Sequence, residues 1–249
     1  MKKIALFVSF LMTISLISNA QSIKDCSSCD KRYLTEEELA GKSLEELALL
    51  RNEIYARKGY VFQNRMYQNY FEYRKWYKIA ASNSDVKLSK IELQNVDLFK
   101  SLETKLQKKR DFAIRDLKQL KQAVNNNDET EIDKYLIDLK EENLKMYYSG
   151  FLSDIKRTLN YIELDDINWN NGRGLYKVTI DNGYNISCYQ VRIEQDTLTI
   201  ECGDQSHSEI FGDFDDGYSD YMSESEFAFW VVFEMQENGI KFSHFGAAG

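Results

Sequence analysis

The chain predicts an α+β fold: an all-helical N-terminal module, then connecting helices, then an antiparallel β-meander. Three observations carry this. A serine or threonine with a glutamate three residues on recurs at Thr35/Glu38, Ser43/Glu46 and Ser89/Glu92. That is the capping box that opens a helix. From about Asp166 apolar residues begin to alternate with polar ones, as in Tyr176, Val178 and Ile180, which is strand periodicity. Asp181-Asn182-Gly183 and Glu237-Asn238-Gly239 then separate apolar runs as hairpin turns do.

The first twenty residues read as an export signal. Lys2 and Lys3 are followed by an apolar run from Ile4 to Ile17 and by Ser18, Asn19 and Ala20. This is the charge, apolar, small-residue order of a cleaved secretory leader. The apolar run of 14 residues falls short of the ~20 needed to span a bilayer. Cleavage after about Ala20 is expected to release a chain without a transmembrane anchor, beginning near Gln21 and located in the periplasm or outside the cell. Such a chain keeps 30 basic against 40 acidic side chains, a formal charge of −10. An acidic chain is repelled by nucleic acid, so no nucleic-acid partner is expected. The basic run Lys105, Lys108, Lys109 and Arg110 reads as a solvated helix face.

Residues 21–30 read as a flexible leader carrying Cys26-Ser27-Ser28-Cys29. Export permits disulfides. A local bond or free thiols, a metal site and a redox motif all remain open for this pair, although no thioredoxin-like setting accompanies it. The helical module spans 31–102. Ser43 and Glu46 open a helix with Leu47, Leu50 and Ile54 on one face, and Gly59 is its natural stop. Tyr60 to Tyr77 is dense in aromatics. Ser89 and Glu92 begin a helix whose pattern runs to about Val124, broken at Asn125 to Asp128. Connecting helices fill 103–160, including about Glu129–Leu136 and Glu141–Tyr161, and the β module fills 161–249. Strands are expected at Tyr184–Ile193, Leu198–Cys202, Phe227–Met235 and Ile240–Phe245. A tight turn at Gln195-Asp196 pairs Ile193 with Leu198, Val191 with Ile200 and Tyr189 with Cys202. Cys188 then faces the other way, and only a bulge would let it bond Cys202.

Leu50-Arg51-Asn52-Glu53-Ile54-Tyr55-Ala56-Arg57-Lys58-Gly59-Tyr60-Val61-Phe62 resembles the signature of the YARHG family. Leu34-Thr35, Glu38-Leu39, Tyr70-Phe71, Trp76-Tyr77 and the helix start at Ser89 fit the same pattern. The resemblance covers about residues 31–102. It implies an extracellular bacterial module, and it implies no reaction. The family's histidine position is Lys58 here, so no role can rest on an imidazole there. The β module bears a fainter resemblance to the nuclear-transport-factor-like cone.

Two readings of the signature follow. In one, Arg51, Asn52, Glu53, Ala56, Gly59, Phe62 and Phe71 hold the fold. In the other, Tyr55, Arg57, Lys58, Tyr60, Tyr67, Trp76 and Tyr77 form a ligand surface. Tyrosine and tryptophan suit glycan or peptide faces because they join apolar area to a polar edge. Envelope polysaccharide, peptidoglycan or peptide are the expected partners of such a surface.

Catalytic signals are weak. With His207 and His244 as the sole histidines, no triad is legible. The acidic loop from Asp213 to Asp220 fails calcium-loop spacing. No cofactor or metal is expected. The leading expectation is a non-enzymatic envelope or extracellular binding module. The alternatives are an envelope glycan or peptide hydrolase, and a small-ligand cup in the C-terminal sheet lined by Tyr176, Tyr189 and Trp230.

Overall fold

A computed structural model describes residues 22–141, 145–205, 208, 210 and 227–249. The expected leader peptide, His207 and the acidic loop at 213–220 lie outside the described residues.

The chain enters as a short helix, α1 (Glu36–Leu39), in which the Glu38 carboxylate accepts from the Thr35 N–H at 3.0 Å. Helix α2 (Leu44–Arg57) opens with a reciprocal box. The Ser43 N–H donates to Glu46 at 2.8 Å, and Ser43 Oγ accepts from the Glu46 N–H at 3.1 Å. Gly59 ends it at φ +85°, a left-handed conformation that suits glycine. Helix α3 (Arg65–Glu72), within the aromatic-rich stretch, is capped by Asn64, whose Oδ1 accepts from the Met66 N–H at 2.9 Å. Sequence spacing alone did not separate it from loop, because apolar residues fall on both of its faces.

Helix α4 (Lys90–Asn126) is the spine. At 1.5 Å per residue it is about 55 Å long. It starts at the Ser89/Glu92 box and stops where Asn127 turns left-handed, φ 53°. The asparagine run that reads as a linker is therefore a helix cap. The N-terminal half of α4 buries Val96 and Phe99 against Leu47, Leu50 and Ile54 of α2. Its C-terminal half buries Ala113, Leu117, Leu120 and Val124 in a second, larger core. Helices α5 (Glu129–Glu141) and α6 (Lys145–Tyr161) complete the layer.

Six strands follow: β1 (Asn168–Asn170), β2 (Arg173–Asp181), β3 (Ile186–Glu194), β4 (Thr197–Gln205), β5 (Phe227–Gln236) and β6 (Gly239–Ala248). They form one antiparallel meander in sequence order. The helix-facing side carries Tyr189, Val191 and Ile193 of β3, Leu198, Ile200 and Cys202 of β4, and Phe229, Val231, Phe233 and Met235 of β5, all buried. Phe151 of α6 stacks on Phe229 at 4.7 Å between centroids. The β3–β4 register is Ile193↔Leu198, Val191↔Ile200 and Tyr189↔Cys202, as the turn at Gln195 requires. Cys188 lies opposite Gly203, on the other face, and the ladder has no bulge there. Cys188 and Cys202 therefore do not pair and are free thiols. Burial raises the Cys202 thiol to about 11, which keeps it protonated and inert.

Residues 22–30, expected as a flexible leader, lie with the stretch to Leu34 against α2 and α4. Cys26 and Cys29 are joined as a disulfide and are buried with Ile23. Asn95 of α4, 1% exposed, holds this segment. Its Oδ1 accepts from the Leu34 N–H at 2.9 Å, and its amide donates to the carbonyls of Cys29 at 2.8 Å and Arg32 at 2.9 Å. Of the readings open for the pair, the structure has the local bond.

Candidate functional site

Beyond the turn at Gly59 the chain folds into a small aromatic lobe. A Cβ on Gly59 would lie 2.4 Å from the Lys78 carbonyl oxygen and 2.6 Å from the Ala80 N, so the absent side chain lets the two strands of chain touch. The Ala80 N–H donates to the Gly59 carbonyl at 2.9 Å. Asn83 clips the other side, accepting from the Val61 N–H and donating to its carbonyl. Phe71 is fully buried at the centre. Phe62 lies 5.4 Å from it, Trp76 6.0 Å and Tyr77 6.3 Å. Tyr60 packs on Phe62 at 5.0 Å and on Tyr55 at 5.8 Å; Tyr67 reaches Phe62 at 6.0 Å. The Tyr77 hydroxyl donates to the Tyr60 carbonyl at 2.7 Å.

The aromatics predicted as a ligand surface are thus brought together. Tyr55, Tyr60, Tyr67, Trp76 and Tyr77 are half-buried and turn much of their area toward Phe62 and Phe71. Arg57 is held by Glu53 at 2.9 Å and lies over the Trp76 ring at 4.3 Å. Lys58 pairs at 3.0 Å with Glu92, which is 2% exposed. Arg51 pairs with Glu103 of α4 at 2.7 and 3.1 Å. The carboxylate raises the Arg51 pKa despite burial. Asn52, Glu53 and Ala56 are buried in α2.

A different set faces solvent. Met66 is 63% exposed, Tyr70 41% and Tyr73 83%. Their spacing puts them on one side of α3 and its first residue beyond. Tyr67 and Phe71 occupy the inward side. The Arg74 guanidinium lies 4.5 Å over the Tyr70 ring. The ligand set read from the sequence included none of Met66, Tyr70, Tyr73 and Arg74. The available signal was the second apolar stripe at 66, 70 and 73, which no single core can absorb.

The junction with the sheet is fixed by a second cluster. Arg110 of α4 pairs with Glu45 of α2 at 2.8 and 3.2 Å and lies 4.1 Å over the Trp169 ring of β1. The Gly172 N–H donates to Glu45 at 2.9 Å. Burial works against the Glu45 carboxylate, but the bonds from Arg110 and Gly172 outweigh it and lower its pKa. Lys105 and Lys109 pair with Glu237 and Asp196. The basic run read as a solvated face therefore largely ties α4 to its neighbours. Beside this junction lies a groove of about 750 Å³ with Trp169, Arg173, Arg192 and Met235 in its wall.

In the sheet, Tyr176 and Tyr189 face the helices, whereas Trp230 lies opposite Glu201 on the helix-free side. One cavity lined by all three does not exist. On the helix-facing side, Asp204 is the carboxylate set against Asp154 of α6, and Arg157 contacts both at 3.1 and 3.6 Å.

These features define a small helical domain with an aromatic lobe, seated on the spine helix of an α+β unit. Residues 24–104 match the model of the YARHG domain family, and the chain carries a YARHG domain there. The match takes in the Cys26–Cys29 segment, in keeping with its attachment through Asn95. No curated protein and no solved structure matches the chain. Among the described residues, no helix is long and apolar enough to cross a membrane.

Proposed function

We propose that the protein is exported and acts as a non-enzymatic binding module of the cell envelope or exterior, with the outer face of the YARHG lobe as its contact surface. The observation that carries this is the exposed row Met66, Tyr70 and Tyr73 on a lobe whose core is already filled by Phe62 and Phe71. Met66 and Tyr73 are mostly exposed, and Tyr70 meets that core only at its edge, 5.1 Å from Phe71. Large aromatic side chains held rigidly in water lose little entropy on contact, and they anchor binding surfaces for that reason. The partner expected for such rings is an envelope polysaccharide, peptidoglycan or peptide.

The test separates surface from core. Phe71→Ala removes a fully buried ring and is expected to cost about 3–5 kcal/mol. Tyr70→Ala/Tyr73→Ala removes only an edge contact on Phe71 and is expected to lower the thermal midpoint far less than Phe71→Ala while abolishing retention on envelope polymer. Undiminished retention by the double variant would refute the assignment. Fractionation of cells tests export separately, and intact leader-bearing protein confined to the cytosol would refute it.

A further inference from the structure

We propose that the outer face of the YARHG lobe takes an anionic glycan, with sugar rings on Tyr70 and Tyr73 and acidic substituents met by Arg74, Lys75 and Lys78. The inference rests on the lobe being a binding surface and adds the charge and class of what it binds.

The distribution of charge carries it. The chain has a formal charge of −8. Between Arg65 and Lys78, however, four basic side chains stand against a single acid, Glu72. Elsewhere in the same domain Arg32, Arg51, Arg57 and Lys58 each hold a carboxylate. Arg65, Arg74, Lys75 and Lys78 are exposed, and none is in an ion pair with any described residue. In an acidic chain, four unneutralised cations within one short stretch of the lobe form a local attractor for anions. Arg74 joins the two features, because its guanidinium already lies over Tyr70.

The chemistry favours a glycan over other anions. Tyrosine presents an apolar ring face and a polar hydroxyl edge, which match the C–H face and hydroxyl rim of a sugar. Charges spaced by neutral rings suit cations interleaved with tyrosines. Duplex nucleic acid carries one charge per ~1.7 Å, denser than one acidic group per sugar ring. A lipid surface is best met by leucine, phenylalanine or tryptophan on an apolar face, whereas the exposed face here carries Met66 and two tyrosines.

The test uses the purified protein against immobilised alginate, a phosphorylated dextran, neutral dextran, phosphatidylglycerol vesicles and single-stranded DNA. Retention on alginate or the phosphorylated dextran is expected, and which of the two is retained identifies carboxylate or phosphate as the acidic group. Arg74→Glu/Lys75→Glu/Lys78→Glu is expected to weaken that retention roughly tenfold or more, from several screened pairs acting together, at an unchanged thermal midpoint. Raising salt is expected to weaken the wild type likewise. Retention on dextran equal to that on the acidic polymers, lost in Tyr70→Ala/Tyr73→Ala, would overturn the charge assignment and leave the binding surface standing. Binding to vesicles or DNA alone would overturn the glycan assignment. Retention on none of the five would overturn both.

Discussion

Replacing Asn95 by leucine keeps the volume and removes every polar contact between α4 and the N-terminal segment. Three hydrogen bonds go: one accepted from the Leu34 N–H and two donated to the carbonyls of Cys29 and Arg32. Left buried without partners, these backbone groups cost about 1–3 kcal/mol each, so the loss is about 3 kcal/mol or more if all three stay buried. The segment has one escape, which is to peel off and let water satisfy those groups. That route exposes Ile23 and the Cys26–Cys29 bond, now 8%, 1% and 1% exposed. Uncovering them costs a comparable amount, about 1.5–3 kcal/mol for a side chain of isoleucine size alone. Either route gives a loss of about 3 kcal/mol in urea unfolding. Trypsin distinguishes them, because a peeled segment is cut at Lys24 or Lys31 before the domain unfolds. A loss below about 1 kcal/mol with an unchanged cleavage pattern would refute the claim that Asn95 holds the segment.

Three further outcomes follow from the same structure. Gly59→Ala places a Cβ 2.4 Å from the Lys78 carbonyl oxygen at a positive φ, and is expected to unfold the aromatic lobe, read as lost near-ultraviolet ellipticity; an unperturbed signal contradicts the close approach. Replacing Cys26 and Cys29 together by serine opens a very short loop and is expected to cost about 2 kcal/mol on the chain-entropy estimate, with no loss seen if the clip is idle. For Glu45, the native pKa lies below its unfolded value, so its contribution is full above the ordinary carboxylate range and is lost as pH falls through the native pKa. The stability gap between wild type and Glu45→Gln should therefore close on acidification, and a gap constant with pH would contradict the Arg110 and Gly172 contacts.

Much of the architecture was legible because its signals are local. Ser43 with Glu46 and Ser89 with Glu92 form the boxes their spacing demands. The β3–β4 register follows from one turn, since a slip of one residue would turn Val191 and Ile193 outward. Gly59 was readable as a helix stop, and it has the positive φ that such a stop uses. What escaped depends on distant partners. Asn95 looks like an ordinary polar helix residue until the segment sixty residues earlier is laid against it. Lys105, Lys109 and Arg110 read as solvated because their carboxylates come from α2 and from two hairpin turns. Helix α3 was hidden because Met66, Tyr67, Tyr70 and Phe71 supply two apolar stripes, and periodicity cannot say which one faces the core. The aromatic signature marked out the lobe, yet sequence could not separate Phe71, at its centre, from Tyr73, two residues on and 83% exposed.

The site itself is best tested by mapping ligand-induced amide shifts by nuclear magnetic resonance as a soluble acidic oligosaccharide is titrated into the labelled protein. The largest shifts are predicted at Met66, Tyr70, Tyr73 and Arg74, with Phe71 following weakly and the sheet unmoved. Shifts centred instead on Trp169, Arg173 and Arg192, around the groove at the junction, would contradict the assignment of the lobe as the binding surface.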